Sequence, residues 1–136
     1  MGLLDLFKPS VPLVMLVDDN QMLLDMYETF LEALSCKCVK VNDSREAVAR
    51  AEELKPQMIL MDISMPGYTG LQVLEMLKIK ASTKDIPVVM VTGENTMGDI
   101  ETAFKLGAAD YVVKPVSCET FLSKVRPQLA KLGYKV

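Results

Sequence analysis

Short apolar runs alternate with stretches whose apolar residues recur at helical spacing, and this alternation leaves few folds open to the chain. The runs are Val11–Val17, Cys38–Val41, Met58–Met61, Val88–Val91 and Tyr111–Val113. Uniform runs of Val, Ile, Leu and Met suit strands buried on both faces, as in a parallel sheet. Between them, Leu23, Tyr27, Phe30 or Leu31, and Leu34 fall at helical spacing. So do Ala47, Ala51 and Leu54, then Leu71, Leu74 and Leu77 or Lys78, then Ile100, Ala103 and Phe104, and finally Phe121, Val125, Leu129 and Leu132. Asp43 with Glu46 reads as a capping-box entry to the second helix. Pro56 and Pro87 precede strands, where helices cannot continue, and Gly107 sits where a helix would take its C-cap. Five strand–helix repeats predict an α/β domain: a five-stranded parallel sheet, order 2-1-3-4-5, with helices on both faces.

A length of 136 residues fits one such domain. It is read over 11–132, with an N-terminal extension at 1–10 and a tail at 133–136. In the extension, Leu3, Leu4, Leu6 and Phe7 could line one face of a helical turn, a candidate docking segment for a partner or a second copy. The stretch lacks a basic leader and carries Asp5, so it is not read as a signal peptide. Leu6 stands where myristoylation of Gly2 would want Ser or Thr.

Composition removes whole classes of function. The chain has no histidine, which excludes Ser-His-Asp triads and histidine metal sites. A net charge of −3 without a basic cluster argues against nucleic-acid binding. No apolar run approaches the roughly 20 residues of a membrane span, and a cytoplasmic protein is expected. Cys36, Cys38 and Cys118 make no paired motif and are read as buried reduced thiols.

In a doubly wound sheet, ligands sit beyond the carboxyl ends of the strands, at the switch point between the first and third. Those ends are chemically distinctive here. The first run is followed by Asp18-Asp19-Asn20, the third by Asp62, the fourth by Thr92-Gly93 and the fifth by Lys114-Pro115. Adjacent first and third strands bring Asp18, Asp19 and Asp62 together. Three such carboxylates repel one another unless a cation compensates. An all-oxygen set without His or Cys suits magnesium rather than zinc or copper. Thr92 and Lys114 add a hydroxyl donor and a cation on the far side of Asp62 from the acidic pair, around an anion bound to Asp62, the layout of phosphoryl transfer to a carboxylate.

With these residues in place, the chain resembles the response-regulator receiver domains, the CheY-like family with its flavodoxin-like fold. The resemblance rests on Asp18-Asp19, Asp62-Ile-Ser-Met-Pro-Gly-Tyr-Thr-Gly70, Val91-Thr92-Gly93 and Gly107-Ala-Ala-Asp-Tyr-Val-Val-Lys-Pro115, in order and at family spacing over about 11–132. It implies that Asp62 is the phosphoacceptor, and that Asp18, Asp19, Asp62 and the backbone carbonyl of Ser64 hold Mg2+. It further implies that Thr92 and Lys114 contact the phosphoryl group and that the Lys114–Pro115 peptide is cis. Tyr111 falls at the family's switch-aromatic position, its exposed ring turning inward when Thr92 is drawn to the phosphate. Ser64 and Glu94 occupy positions that tune rates in the family. The implied partners are a sensor histidine kinase or histidine phosphotransfer protein and an output protein, with a homodimer possible. Such a chain is a switch rather than an enzyme. Read as complete, it has no room for an output domain and would act through protein contacts.

Other readings fare worse on the residues. An aspartyl-phosphate phosphatase of the haloacid-dehalogenase type needs an acid two residues after its nucleophile, where this chain has Ser64. A flavodoxin-like electron carrier needs a phosphate-binding first loop, and this one is doubly acidic. A phosphorylation-independent scaffold would ordinarily have lost part of the Asp, Thr and Lys set.

Overall fold

The computed structural model describes residues 8–136, apart from the side chains of 94–96. The Leu3–Phe7 segment and the Glu94 side chain therefore lie outside the described residues. Five strands form one parallel sheet: β1 (Leu13–Val17), β2 (Lys37–Val41), β3 (Met58–Asp62), β4 (Val88–Thr92) and β5 (Asp110–Val113). Their order is β2-β1-β3-β4-β5, as expected. The helices are α1 (Gln21–Leu31), α2 (Ala47–Leu54), α3 (Gly70–Ile79), α4 (Ile100–Lys105) and α5 (Cys118–Lys131).

Alternation along the strands divides the interior into two cores. Val14, Leu16, Met58, Leu60, Val89 and Val91 meet Leu24, Tyr27 and Leu31 of α1 and Phe121 and Val125 of α5. Met15, Val17, Ile59, Met61, Val88 and Met90 meet α2, α3 and α4 through Ala51, Val73, Leu74, Leu77 and Ala103. Both faces of β1, β3 and β4 are therefore covered, which is why their sequences are continuously apolar rather than alternating.

Local structure follows the sequence signals in some places and departs from them in others. Gly107 follows α4 with φ +102°, the left-handed cap a glycine adopts without strain. The first run begins as a strand only at Leu13, because Pro12 has no N–H to give the sheet. Asp43 does not make the expected capping box. It accepts from the Arg45 N–H and guanidinium and opens a 3₁₀ turn at Ser44–Glu46, ahead of α2. The reciprocal box lies instead at α3, between Thr69 and Gln72. The cysteines also depart from expectation: Cys36 and Cys38 are half-buried and Cys118 is exposed, all three as free thiols. Burial, aided by Glu28, pushes the Cys38 thiol up to about 11, so it stays protonated. Among the described residues, no helix is long and apolar enough to cross a membrane.

Candidate functional site

The register aligns the three central strand ends. Val17 pairs with Met61 and with Val41, Asp62 with Val91, and Thr92 with Val113. Backbone bonds continue past the ladders: the Asp18 N–H donates to the Val41 carbonyl, Ile63 to Val91, and Lys114 to Thr92 at 2.7 Å. The side chains that follow these strands are thereby gathered at one edge.

Asp18 and Asp62 are 1% and 4% exposed, whereas Asp19 faces solvent. One carboxylate oxygen from each of the three lies within 4.8 Å of the others. The Asn20 N–H donates to Asp18 Oδ1 at 2.9 Å, and Asn20 itself caps α1 by accepting from the Leu23 N–H. Lys114 Nζ stands 3.3 Å from Asp62 Oδ2 and 3.6 Å from Asp18 Oδ2. It thus bridges the two buried carboxylates rather than standing on the far side of Asp62. The Lys114–Pro115 peptide is cis.

Burial disfavours the charged carboxylates, and their mutual repulsion adds to it. Asp62 is pushed up to about 6, by burial first and by Asp18 second, against the opposing pull of Lys114 and the Ser64 N–H. Asp18 is raised for the same principal reason. One cation shared between two buried acids leaves a deficit of positive charge. Asp18 Oδ2 also has no hydrogen-bond partner. Exclusively oxygen donors, one of them buried and unsatisfied, fit a hard divalent ion such as magnesium.

Gly70 and Ser44 shape the loop that follows Asp62. The Gly70 N–H, at the start of α3, donates to the Ile63 carbonyl at 2.7 Å. A Cβ at Gly70 would lie 2.1 Å from the Asp62 carbonyl oxygen, so only glycine lets the helix approach the strand end this closely. Ser44 is buried and clips the intervening loop: its hydroxyl donates to the Pro66 carbonyl at 2.8 Å and accepts from the Tyr68 N–H at 2.9 Å. Ser64 is exposed in that loop. Neither the role of Gly70 nor that of Ser44 emerges from the sequence reading, because each depends on contact between distant segments.

Thr92 is wholly buried at the end of β4, its hydroxyl donating to the Gly93 carbonyl at 3.1 Å. Tyr111 is half-buried rather than exposed. Its ring meets Phe104 edge-on, centroids 6.0 Å apart, and the Lys124 ammonium lies 5.7 Å from its centre. Tyr27, read only as part of an apolar stripe, is 1% exposed and stacks on Phe121, with its hydroxyl unpaired.

Comparison with known proteins gives a consistent result. Residues 14–126 match the family described as the response regulator receiver domain. The polar-differentiation response regulator DivK of Brucella anthropi is 33% identical over 116 residues, spanning 85% of this chain and 94% of that protein. The chemotaxis response regulator CheY4 of Vibrio cholerae superposes with a TM-score of 0.80 at 26% identity, covering 87% of this chain and 98% of that one. The receiver domain of NtrX from Brucella abortus shares the fold with a TM-score of 0.79 at 24% identity, over 86% and 98%.

Proposed function

Because this chain belongs to the response regulator receiver family of two-component signalling, whose members are signalling domains rather than enzymes, we propose that Asp62 accepts a phosphoryl group from a phospho-histidine on a kinase or phosphotransfer partner. The observation that carries this reading is the gathering of Asp18, Asp19 and Asp62 oxygens within 4.8 Å, with Lys114 3.3 Å from Asp62. An Asp62 carboxylate oxygen attacks phosphorus, a P–O bond forms, and the P–N bond to the imidazole breaks. Asp62 must be ionised to attack; with its pKa near 6 it is mostly so at neutral pH. Lys114 leaves its place between the acids to pair with the transferred oxygens, and the Thr92 hydroxyl turns from the Gly93 carbonyl to donate to one of them. Asp18, Asp19, Asp62 and the Ser64 carbonyl would hold magnesium, which when bound offsets negative charge on the carboxylates and the phosphoryl group.

The phosphoryl group adds about −1.5 to −2 charge at the sheet edge. Movement of Thr92 opens space toward which the half-buried Tyr111 ring turns, and its contacts with Phe104 and Lys124 change with it. The surface of α4, β5 and α5 then differs between two states, and an output partner reads the difference. The alternative, a scaffold that needs no phosphorylation, has no observation in its favour, since each residue the chemistry requires is present at the strand ends.

The test is intact mass after incubation with a small acyl phosphate, with and without magnesium, on the wild type and Asp62→Asn. The expected result is a single magnesium-dependent adduct that the variant lacks. A folded wild type that gains no mass would overturn the reading.

A further inference from the structure

Residues 63–69 join the phosphoacceptor strand to α3 and include Ser64, whose carbonyl belongs to the proposed magnesium set. Backbone bonds close this loop at its base: the Ile63 N–H donates to the Val91 carbonyl at 3.0 Å, and the Gly70 N–H to the Ile63 carbonyl at 2.7 Å. Its tip is held from outside, by the turn between β2 and α2. The Ser44 hydroxyl donates to the Pro66 carbonyl at 2.8 Å and accepts from the Tyr68 N–H at 2.9 Å, so one side chain grips the loop on both sides of Gly67. Gly67 has φ +80°, and a Cβ there would lie 3.1 Å from Ser44 Oγ and 3.2 Å from Arg45 Cγ, so turn and loop are in close contact. The same turn meets the acidic cluster by a second route. The Val41 carbonyl, at the end of β2, accepts from the Asp18 N–H at 3.1 Å. Asp19 lines one polar cavity with Asn42, Asp43, Arg45, Pro66 and Gly67.

We infer that Ser44 is a positioning residue of the acidic site: by fixing Pro66 and Tyr68 it holds the loop, and with it the Ser64 carbonyl, in the place a divalent cation needs. A side chain that served only its own turn would bond within it, as Asp43 does with the Arg45 N–H. Both Ser44 bonds instead reach residues 22 and 24 further along the chain, in the segment next to Asp62. Groups that orient a metal's ligands typically change its affinity by about 10–100-fold when removed. The inference rests on the proposed magnesium-dependent function and adds a residue to its site.

The test titrates magnesium chloride into wild type, Ser44→Ala and Thr83→Val, read by calorimetry, and follows the rate of adduct formation from an acyl phosphate over the same magnesium range. Thr83 is the matched control. Its hydroxyl is also buried, at 1% exposure, and donates to the Leu77 carbonyl at 2.7 Å, in the turn that leads into β4 at the opposite end of the sheet. Both variants should melt below wild type. Ser44→Ala should bind magnesium about tenfold more weakly. The magnesium concentration that gives half the maximal rate should rise by the same factor, while the rate at saturating magnesium stays at the wild-type value. Thr83→Val should leave both unchanged. Gly67→Ala disturbs the same grip from the loop side and should weaken affinity to a like degree, with no further loss when combined with Ser44→Ala. If Ser44→Ala does not fold, Gly67→Ala decides in its place. Wild-type affinity in the deciding variant, or an equal loss in Thr83→Val, would overturn this inference alone. A wild type that binds no magnesium would overturn it together with the proposed function.

Discussion

Asp62 illustrates how a residue can be costly to the fold and necessary to the site. Its carboxyl titrates near 6 in the native chain, well above its ordinary value, chiefly because it is buried. Below about pH 4, native and unfolded chains both carry the proton, and the site costs little. Between about pH 4 and 6 the unfolded chain has ionised while the native chain still holds its proton, so stability is lost across that window and the full cost is present above it. In metal-free buffer, Asp62→Asn should therefore be more stable than wild type at pH 7.5 by about 1–3 kcal/mol. The gap should close toward pH 4. Urea melts at both pH values check this, and a variant less stable than wild type at pH 7.5 would contradict it. The identity of this residue was legible because an apolar run stops abruptly at a carboxylate. Its pairing was not: that Lys114 stands between Asp18 and Asp62 depends on side-chain rotamers, which no spacing records. The Tyr27 hydroxyl was hidden for a related reason, since at four residues from both Leu23 and Leu31 it counts as one more member of an apolar stripe.

Among the elements, the entry to α3 shows why strand ends are easier to read than the loops that join them. Thr69 and Gln72 form a reciprocal cap, an interaction confined to four residues and visible in the sequence as T-x-x-Q. Gly70, the next residue, is constrained by something remote: the Asp62 carbonyl, which any Cβ would overlap. The two positions should therefore respond very differently. Thr69→Ala loses one capping bond and should cost about 1 kcal/mol, leaving magnesium affinity within about twofold of wild type. Gly70→Ala forces α3 away from the end of β3, should cost about 3–5 kcal/mol, and should abolish magnesium binding even where the protein remains folded. Thermal melts and calorimetry on the same samples separate the two effects. Equal, small effects would mean the α3 entry does not position Asp62. The misread Asp43 follows the same logic. Its match to a capping box was local and real as a pattern, but Arg45 takes its carboxylate and the turn tightens before α2 begins.

Over the whole molecule, the sheet separates function from closure. The acidic cluster lies beyond the carboxyl ends of the strands. The opposite end is closed by the two termini of the described chain. Tyr134, in the segment read from sequence as a tail, is only 8% exposed and packs into the core shared by α1 and α5. Its hydroxyl donates to the Pro9 carbonyl at 2.9 Å, and the Lys8 ammonium lies 4.6 Å from its ring centre. The order of the strands was legible because five repeats and a parallel sheet leave few topologies. This clasp was not, because it joins residues 125 apart in sequence and leaves no periodic trace. Tyr134→Ala removes an aromatic side chain from the edge of a core and should cost about 2–4 kcal/mol, lowering the melting temperature by roughly 5–15 °C. Tyr134 lies at the end of the sheet opposite Asp18, Asp62, Thr92 and Lys114, so magnesium affinity and the yield of phosphoryl adduct should match wild type at temperatures where the variant is folded. A drop in either, measured well below the melt, would show that the two ends of the sheet are coupled and that closing the chain helps to set the geometry of the acidic site. If both hold steady, the parallel strands isolate the switch from the end that closes the fold, and the stability of this domain can change without changing its chemistry.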